Sequence, residues 1–290
     1  MLCESSTADA WYVITKFKQG DLHFVKCASC GTIFQNPMPD QDSMQQFYNS
    51  QNFFSCTANS DELTGYRDYD GEEATRGKNA EKRLNELERL FSPRRKLRIL
   101  KVACGYGALV RLARDRGHEA QGIDFSDVMF EGARNRYGLE LIHADFLEYD
   151  FGEQRFDVVV LYGAINNFLR PLDVARKALS ILEPGGFYVV NHVWPGSFPE
   201  RLLGSRYWIY RPPIIGLYPK RAFQNYHQQS GYEHHRSQYD VQYVTCDKIF
   251  GYLQIRPILT AVDKLGLSRL GCTIPIPGYA REFFRKPDIR

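Results

Sequence analysis

An α/β fold with a doubly wound, mainly parallel sheet is predicted by three observations. From Leu97 onward, short apolar runs alternate with helical stretches, the signature of βαβ units. One run, residues 156–161, is apolar except for Asp157, as expected of a strand covered on both faces. Glycine-containing turns, Gly105-Tyr106-Gly107 and Pro184-Gly185-Gly186, punctuate the runs where strands and helices should meet.

The elements follow in order. Residues 1–60 are mildly acidic, rich in Gln, Asn, Ser and Phe, and broken at Pro37-Met38-Pro39; they read as a small N-terminal module. In residues 61–96, dense in both charge signs, Leu84, Leu87 and Leu90 mark one face of a linking helix that ends near Ser92-Pro93. Residues 97–290 then form the main domain. A first strand over 97–103 leads through the glycine turn into a helix closed by Gly117. The second strand ends at Asp124, Ser126 caps a helix to about Tyr137, and 139–143 is the third strand. The fourth strand is 156–161. Pro171 opens a helix that stops before Glu183-Pro184-Gly185-Gly186, and 187–193 is the fifth strand. Residues 194–230, with Pro195, Pro199, Pro212 and Pro213 among aromatics, are expected to interrupt the sheet as a lid.

Composition narrows the class. The chain has 290 residues, 43% of them apolar and 24% charged, which is ordinary for globular proteins and excludes disordered or collagen-like chains. No apolar run approaches the roughly 18 residues of a spanning helix, and Glu4 and Asp9 stand where an export signal would be basic and then apolar. A cytoplasmic protein is the expectation. Net charge is +3, but residues 191–290 hold 14 Lys/Arg against 7 Asp/Glu, so the last third is basic. Its clusters Tyr207, Trp208, Tyr210, Arg211 and Lys220, Arg221, Phe223, Tyr226 read as a solvated basic face over an aromatic core, with an anionic substrate as the alternative. The seven cysteines are odd in number, which argues against a disulfide framework. Only Cys27 and Cys30 have metal-ligand spacing, with Gly31 completing a knuckle. A zinc ion would need two more ligands from Cys3, His23 and Cys56.

The chemistry is expected beyond the carboxyl ends of the strands. The turn at Gly105 and Gly107 opens a helix whose free backbone N–H groups can hold a carboxylate or phosphate. Asp124, closing the second strand, can accept both hydroxyls of a ribose. Asp145 and Phe146, after the third strand, suit an adenine amino group and ring.

These residues resemble a class I S-adenosylmethionine-dependent methyltransferase. The likeness rests on Leu100 to Gly107, Gly122 to Ser126, Phe156-Asp157-Val158-Val159 through Pro171, and Leu182-Glu183-Pro184-Gly185-Gly186 before an apolar strand. The resemblance implies a Rossmann-like sheet of seven strands whose last, near 279–286, is antiparallel, and S-adenosylmethionine as cofactor. It places Ala103, Cys104, Gly105, Gly107, Asp124, Phe125, Asp145, Phe146, Tyr162 and Asn167 around that cofactor. The N-terminal module, with Cys27-Ala-Ser-Cys30 followed by Asn36-Pro37-Met-Pro39 and Phe47-Tyr48, is similar to a zinc-knuckle extension of some bacterial small-molecule methyltransferases. In them the knuckle uses two C-x-x-C pairs, so Cys27 and Cys30 would be half of a site.

Three positions depart from the family pattern. Lys101 stands where the first motif has an acid that orients the methionyl ammonium, and Ala103 where it has glycine. Asn166-Asn167 replaces a Glu-His pair after the fourth strand. Methyl transfer needs alignment, and a base for acidic acceptors. His192, closing the fifth strand, is the expected base, and Tyr162 is expected to shape the transfer pocket. The lid, the N-terminal module and residues 66–69 are expected to close over a small-molecule acceptor.

Two other readings stand beside this one. A nicotinamide-dependent reductase shares the strand, turn and acidic ligand, but Val110 occupies the third glycine position of its fingerprint. A degenerate methyltransferase fold acting as a binding or regulatory protein accommodates Lys101, Ala103 and Asn167. Nucleic acid is not an expected partner, because Leu161-Tyr162-Gly163-Ala164 carries no Asn-Pro-Pro-aromatic type signature and the net charge is low. A homodimer is left open.

Overall fold

The computed structural model describes residues 8–15, 21–50, 69–91, 95–253 and 256–288. A small sheet opens the chain with β1 (Ala8–Thr15), β2 (Leu22–Cys27) and β3 (Ile33–Gln35), followed by α1 (Gln41–Asn49) and α2 (Glu73–Glu88). The main sheet then begins: β4 (Arg98–Val102), α3 (Ala108–Asp115), β5 (Glu119–Asp124), α4 (Asp127–Tyr137), β6 (Ile142–His143), β7 (Phe156–Leu161), α5 (Pro171–Ile181) and β8 (Leu182–Val193). After it come α6 (Phe198–Leu203), β9 (Gly216–Leu217), α7 (Lys220–Gln229), β10 (Glu233–Thr245), α8 (Cys246–Leu253), α9 (Arg256–Lys264) and β11 (Gly271–Arg285).

Seven strands pair in the order β10-β11-β8-β7-β4-β5-β6. The pairs from β8 to β6 are parallel, and β11 runs antiparallel to both of its neighbours. The expected doubly wound sheet with an antiparallel last strand is therefore present. Alternation divides the apolar side chains between two faces. Leu100, Val102, Val159, Leu161, Tyr188 and Val190 pack toward α5 and α7, while Ile99, Val158, Val160 and Val189 pack toward α2 and α3.

Several boundaries differ from expectation for physical reasons. The third strand shrinks to Ile142–His143, because Leu139 and Leu141 turn inward to a small cluster with Ala133 instead of extending an edge. The fifth strand starts at Leu182, not at 187: Phe156 pairs with Leu182, and Gly185 and Gly186 exchange backbone hydrogen bonds with Lys286. The last strand is longer than expected, and α8 and α9 lie between it and β10, an insertion with no sequence signal strong enough to foresee.

The N-terminal strands share a sheet with a strand from the stretch expected as a lid. The small sheet has the order β1-β2-β3-β9, so β9 completes it through the pairs Ile33↔Leu217 and Phe34↔Gly216. Asn166 ties this unit to the main sheet. Its side chain accepts from the Val193 amide and donates to the Val193 and Gly216 carbonyls.

Candidate cofactor and acceptor site

The first turn is shaped by backbone geometry. Gly105 and Gly107 have positive φ (56° and 83°), and Ala103 also adopts the left-handed region at 49°. That region is sparsely occupied by residues with a Cβ, so Ala103 carries strain that a glycine would avoid. The Tyr69 hydroxyl lies 2.4 Å from where a Gly105 Cβ would project, so the turn is closely covered.

Asp124 organises the turn. Its Oδ2 accepts from the Gly105 amide at 2.9 Å and its Oδ1 from the Ser126 amide at 3.1 Å. Burial pushes its carboxyl up from the usual range, while these amides and Lys101 pull it down. Each carboxylate oxygen retains a lone pair. The Phe125 ring meets Tyr48 edge-on at 5.5 Å, and the Ser126 hydroxyl donates to the Tyr48 carbonyl. Asn167 Nδ2 donates to the Tyr48 hydroxyl at 2.8 Å. The end of α1 thus bridges the β5 and β7 ends of the site.

A cavity of about 880 Å³ runs from these groups to Trp208 and Arg211. Ala103, Cys104, Gly105, Asp124, Phe125, Asp145, Phe146, Tyr162 and Asn167 all line it. Gly107 does not; it serves as the left-handed N-cap of α3. Phe146 is also a core residue, only 4% exposed. Tyr162 is buried with its hydroxyl unpartnered, and Arg83 sits 4.5 Å over its ring.

His192 lies elsewhere. It is fully buried, stacked on Phe223 at 4.1 Å, with Nε2 3.7 Å from Glu282 Oε1, and it does not line the cavity. Its neighbour Val193 does line the cavity, and successive residues of a strand face opposite sides. Burial also pushes the imidazole down, against Glu282. The expected base is therefore a core side chain.

At the knuckle, Cys27 is buried and Cys30 Sγ donates to Thr32 Oγ1 at 3.1 Å. Cys3 and Cys56 lie outside the described residues. Among the described residues no group of three or more His, Cys, Asp or Glu is placed to hold a metal.

Other lining residues had no individual role in the sequence reading. Arg76, Asn79, Ala80 and Arg83 present one face of α2 to the cavity. Their i, i+3, i+4, i+7 spacing was the available signal. The basic and aromatic clusters divide: Tyr207 and Tyr210 are core, Lys220 and Arg221 are exposed, and Trp208 and Arg211 face the cavity.

The strand order, with its antiparallel β11, and the glycine turn beside the carboxylate closing β5 make a Rossmann-like α/β fold, the fold of the solved methyltransferases that superpose on it. Residues 99–186 match the family model described as a methyltransferase domain. Demethylmenaquinone methyltransferase of Listeria welshimeri is 24% identical over 151 residues, 49% of this chain and 64% of the relative. The enzyme of that name from Bacillus licheniformis is 30% identical over 136 residues, 44% of this chain and 58% of the relative. The chain thus spans less than two thirds of these relatives' length. Among solved structures, magnesium protoporphyrin IX methyltransferase from Synechocystis, with bound S-adenosylhomocysteine, superposes with TM-score 0.54 at 10% identity, over 85% of this chain and all of that one. A methyltransferase-like structure from Bacillus halodurans gives 0.50 at 17%, over 70% and 98%.

Proposed function

We propose that this chain is an S-adenosylmethionine-dependent methyltransferase that moves a methyl group to an O, N or C atom of a small-molecule acceptor. The observation that carries the reading is Asp124, held by two backbone amides beside a glycine turn and left with lone pairs for two vicinal hydroxyls. The cofactor supplies an already activated methyl group on a sulfonium, so the protein's task is alignment and exclusion of water. Asp124 holds the sugar, Phe125 and Tyr48 flank a planar base, and Asp145 accepts from its amino group. Tyr162 shapes the wall where acceptor and donor meet. Trp208 and Tyr279, with ring centroids 6.2 Å apart on the lid side, suit an acceptor with a flat apolar body. The demethylmenaquinone relatives support the same acceptor type.

The same reading assigns residues 1–60 and 194–230 to one cap, joined through β9, over a transferase domain of residues 97–290 with 61–96 as its lead-in. Among the described residues no helix is long and apolar enough to cross a membrane. A second reading, a fold that binds a ligand or partner without turnover, is favoured by Lys101 in the place of the family's acid.

Titration calorimetry with S-adenosylmethionine and S-adenosylhomocysteine tests the proposal. The expected result is binding on the order of micromolar, weakened about a hundredfold in a folded Asp124→Ala variant, as loss of charged hydrogen bonds to two hydroxyls requires. No heat from the folded wild-type protein with either ligand would leave the second reading in front.

A further inference from the structure

Lys101, the penultimate residue of β4, lines the cavity and is only 6% exposed, on the strand that pairs with β5 and its terminal Asp124. Its Nζ donates to the Val102 carbonyl at 2.6 Å and to the Ala103 carbonyl at 2.8 Å. An ammonium has three donors, so one N–H of Lys101 is left over. The two carbonyls it uses are acceptors that a ligand ammonium at this strand end would need. The charged groups that bear on Lys101 are Arg83 from α2 and Asp124 from β5, with the Cys104 thiol beside them. Asp124 is already committed to two amides and, on the reading above, to the ribose. Arg76 lines the same cavity on α2, and both of its Nη atoms are buried without a hydrogen-bond acceptor. The Arg76 guanidinium lies 3.9 Å over the Tyr69 ring, which leaves its in-plane Nη–H groups for a ligand. The cavity therefore offers cationic donors from α2 and β4, and Lys101 occupies the local acceptors with its own ammonium.

Resting on the methyltransferase reading, we propose that Lys101 and Arg76 make this site recognise the amino-acid tail of its cofactor by the carboxylate and not by the ammonium. Lys101 and Arg76 donate to the carboxylate oxygens, and the ligand's ammonium points away from Lys101, toward water or the acceptor side. A like charge beside the ligand ammonium in a poorly hydrated pocket disfavours the opposite orientation. Lys101 is accordingly a specificity-determining residue for the cofactor.

Calorimetry with three ligands separates the possibilities: S-adenosylhomocysteine, its decarboxylated analogue, which keeps the amine, and its deaminated analogue, which keeps the carboxylate. The deaminated compound is expected to bind within about threefold of S-adenosylhomocysteine, and the decarboxylated one about tenfold or more weaker, the loss of charge-assisted hydrogen bonds. Lys101→Glu should invert the order of the two analogues, and Arg76→Gln should weaken only the ligands that carry a carboxylate. Circular dichroism confirms that each variant is folded; if Lys101→Glu is not, the wild-type ranking and Arg76→Gln still decide. A decarboxylated analogue that binds as tightly as S-adenosylhomocysteine overturns the proposal, and so does a deaminated one that binds tenfold worse. Absence of binding by all three ligands overturns the methyltransferase reading, and the inference goes with it.

Discussion

Lys101 is the residue at which charge and burial conflict most openly. Burial pushes its ammonium down from the ordinary lysine value to about 8, with Asp124 and Cys104 opposing and Arg83 reinforcing. The sign of the linkage follows. Between about pH 8 and the unfolded value near 10.5 the unfolded chain holds a proton that the folded chain has lost, so stability rises with pH across that window. Below pH 8 the folded state carries the cost of a buried charge. Relative to Lys101→Met, wild-type protein should gain about 3 kcal/mol between pH 7.5 and 10.5, on the order of 1.4 kcal/mol per pKa unit, in urea unfolding followed by fluorescence. An unchanging difference would mean that the ammonium is solvated. Lys101 and Ala103 were visible in the sequence as departures from a pattern, but their consequences were not. Which carbonyls the ammonium reaches, and that Ala103 takes a left-handed backbone, depend on how the turn folds over Asp124.

At the scale of elements, the strands over residues 98–102 and 156–161 were legible because buried parallel strands are short apolar runs bounded by turns, whereas only the end of β5, at Asp124, was placed. Helix α4 shows what periodicity misses. Gly132 sits mid-helix, where glycine costs about 1 kcal/mol against alanine, and a Cβ there would lie 2.1 Å from the Tyr106 ring. The glycine lets Tyr106, from the first turn, lie against the helix backbone beside Tyr69 and Met129. Gly132→Ala should therefore destabilise by about 1–3 kcal/mol despite its better helix propensity, because the ring must leave its slot. Thermal unfolding of the variant checks this, and a raised melting temperature would contradict it. His192 is the complementary case: its place at the end of β8 was read correctly, but strand parity puts Val193 and not His192 toward the cavity.

Across the whole molecule, the edge of the sheet is bound to α2 by a buried charge network. Arg281 donates to both Asp240 and Glu86, Arg83 approaches Asp240 at 3.6 Å, and Asn191 donates to Asp240 while accepting from the Gly163 amide. Burial alone would raise the Asp240 carboxyl, but Arg83 and Arg281 hold it down to about 2. That stabilisation is complete above the unfolded value near 3.8 and is lost as pH falls through 2. Asp240→Asn leaves Arg281 buried with one fewer counter-charge. It should cost about 3–5 kcal/mol at pH 7 and flatten the acid limb of the stability profile, as chemical unfolding at pH 7 and pH 3 would register. A loss below about 1 kcal/mol would mean that Glu86 alone satisfies Arg281.

The sequence by itself determined the order of the α/β units, the glycine turn and the acid closing β5, because these depend on local periodicity and on backbone conformations few residue types accept; the count of seven strands came from the family resemblance. Only the tertiary structure decided what faces the cavity. Tyr48 meets Phe125 and Asn167 across many residues of chain, β9 completes the N-terminal sheet, and Arg76 from α2 lines the same cavity as Lys101 from β4. Those juxtapositions are set by side-chain packing between distant segments, and no local pattern encodes which partner a distant segment will bring.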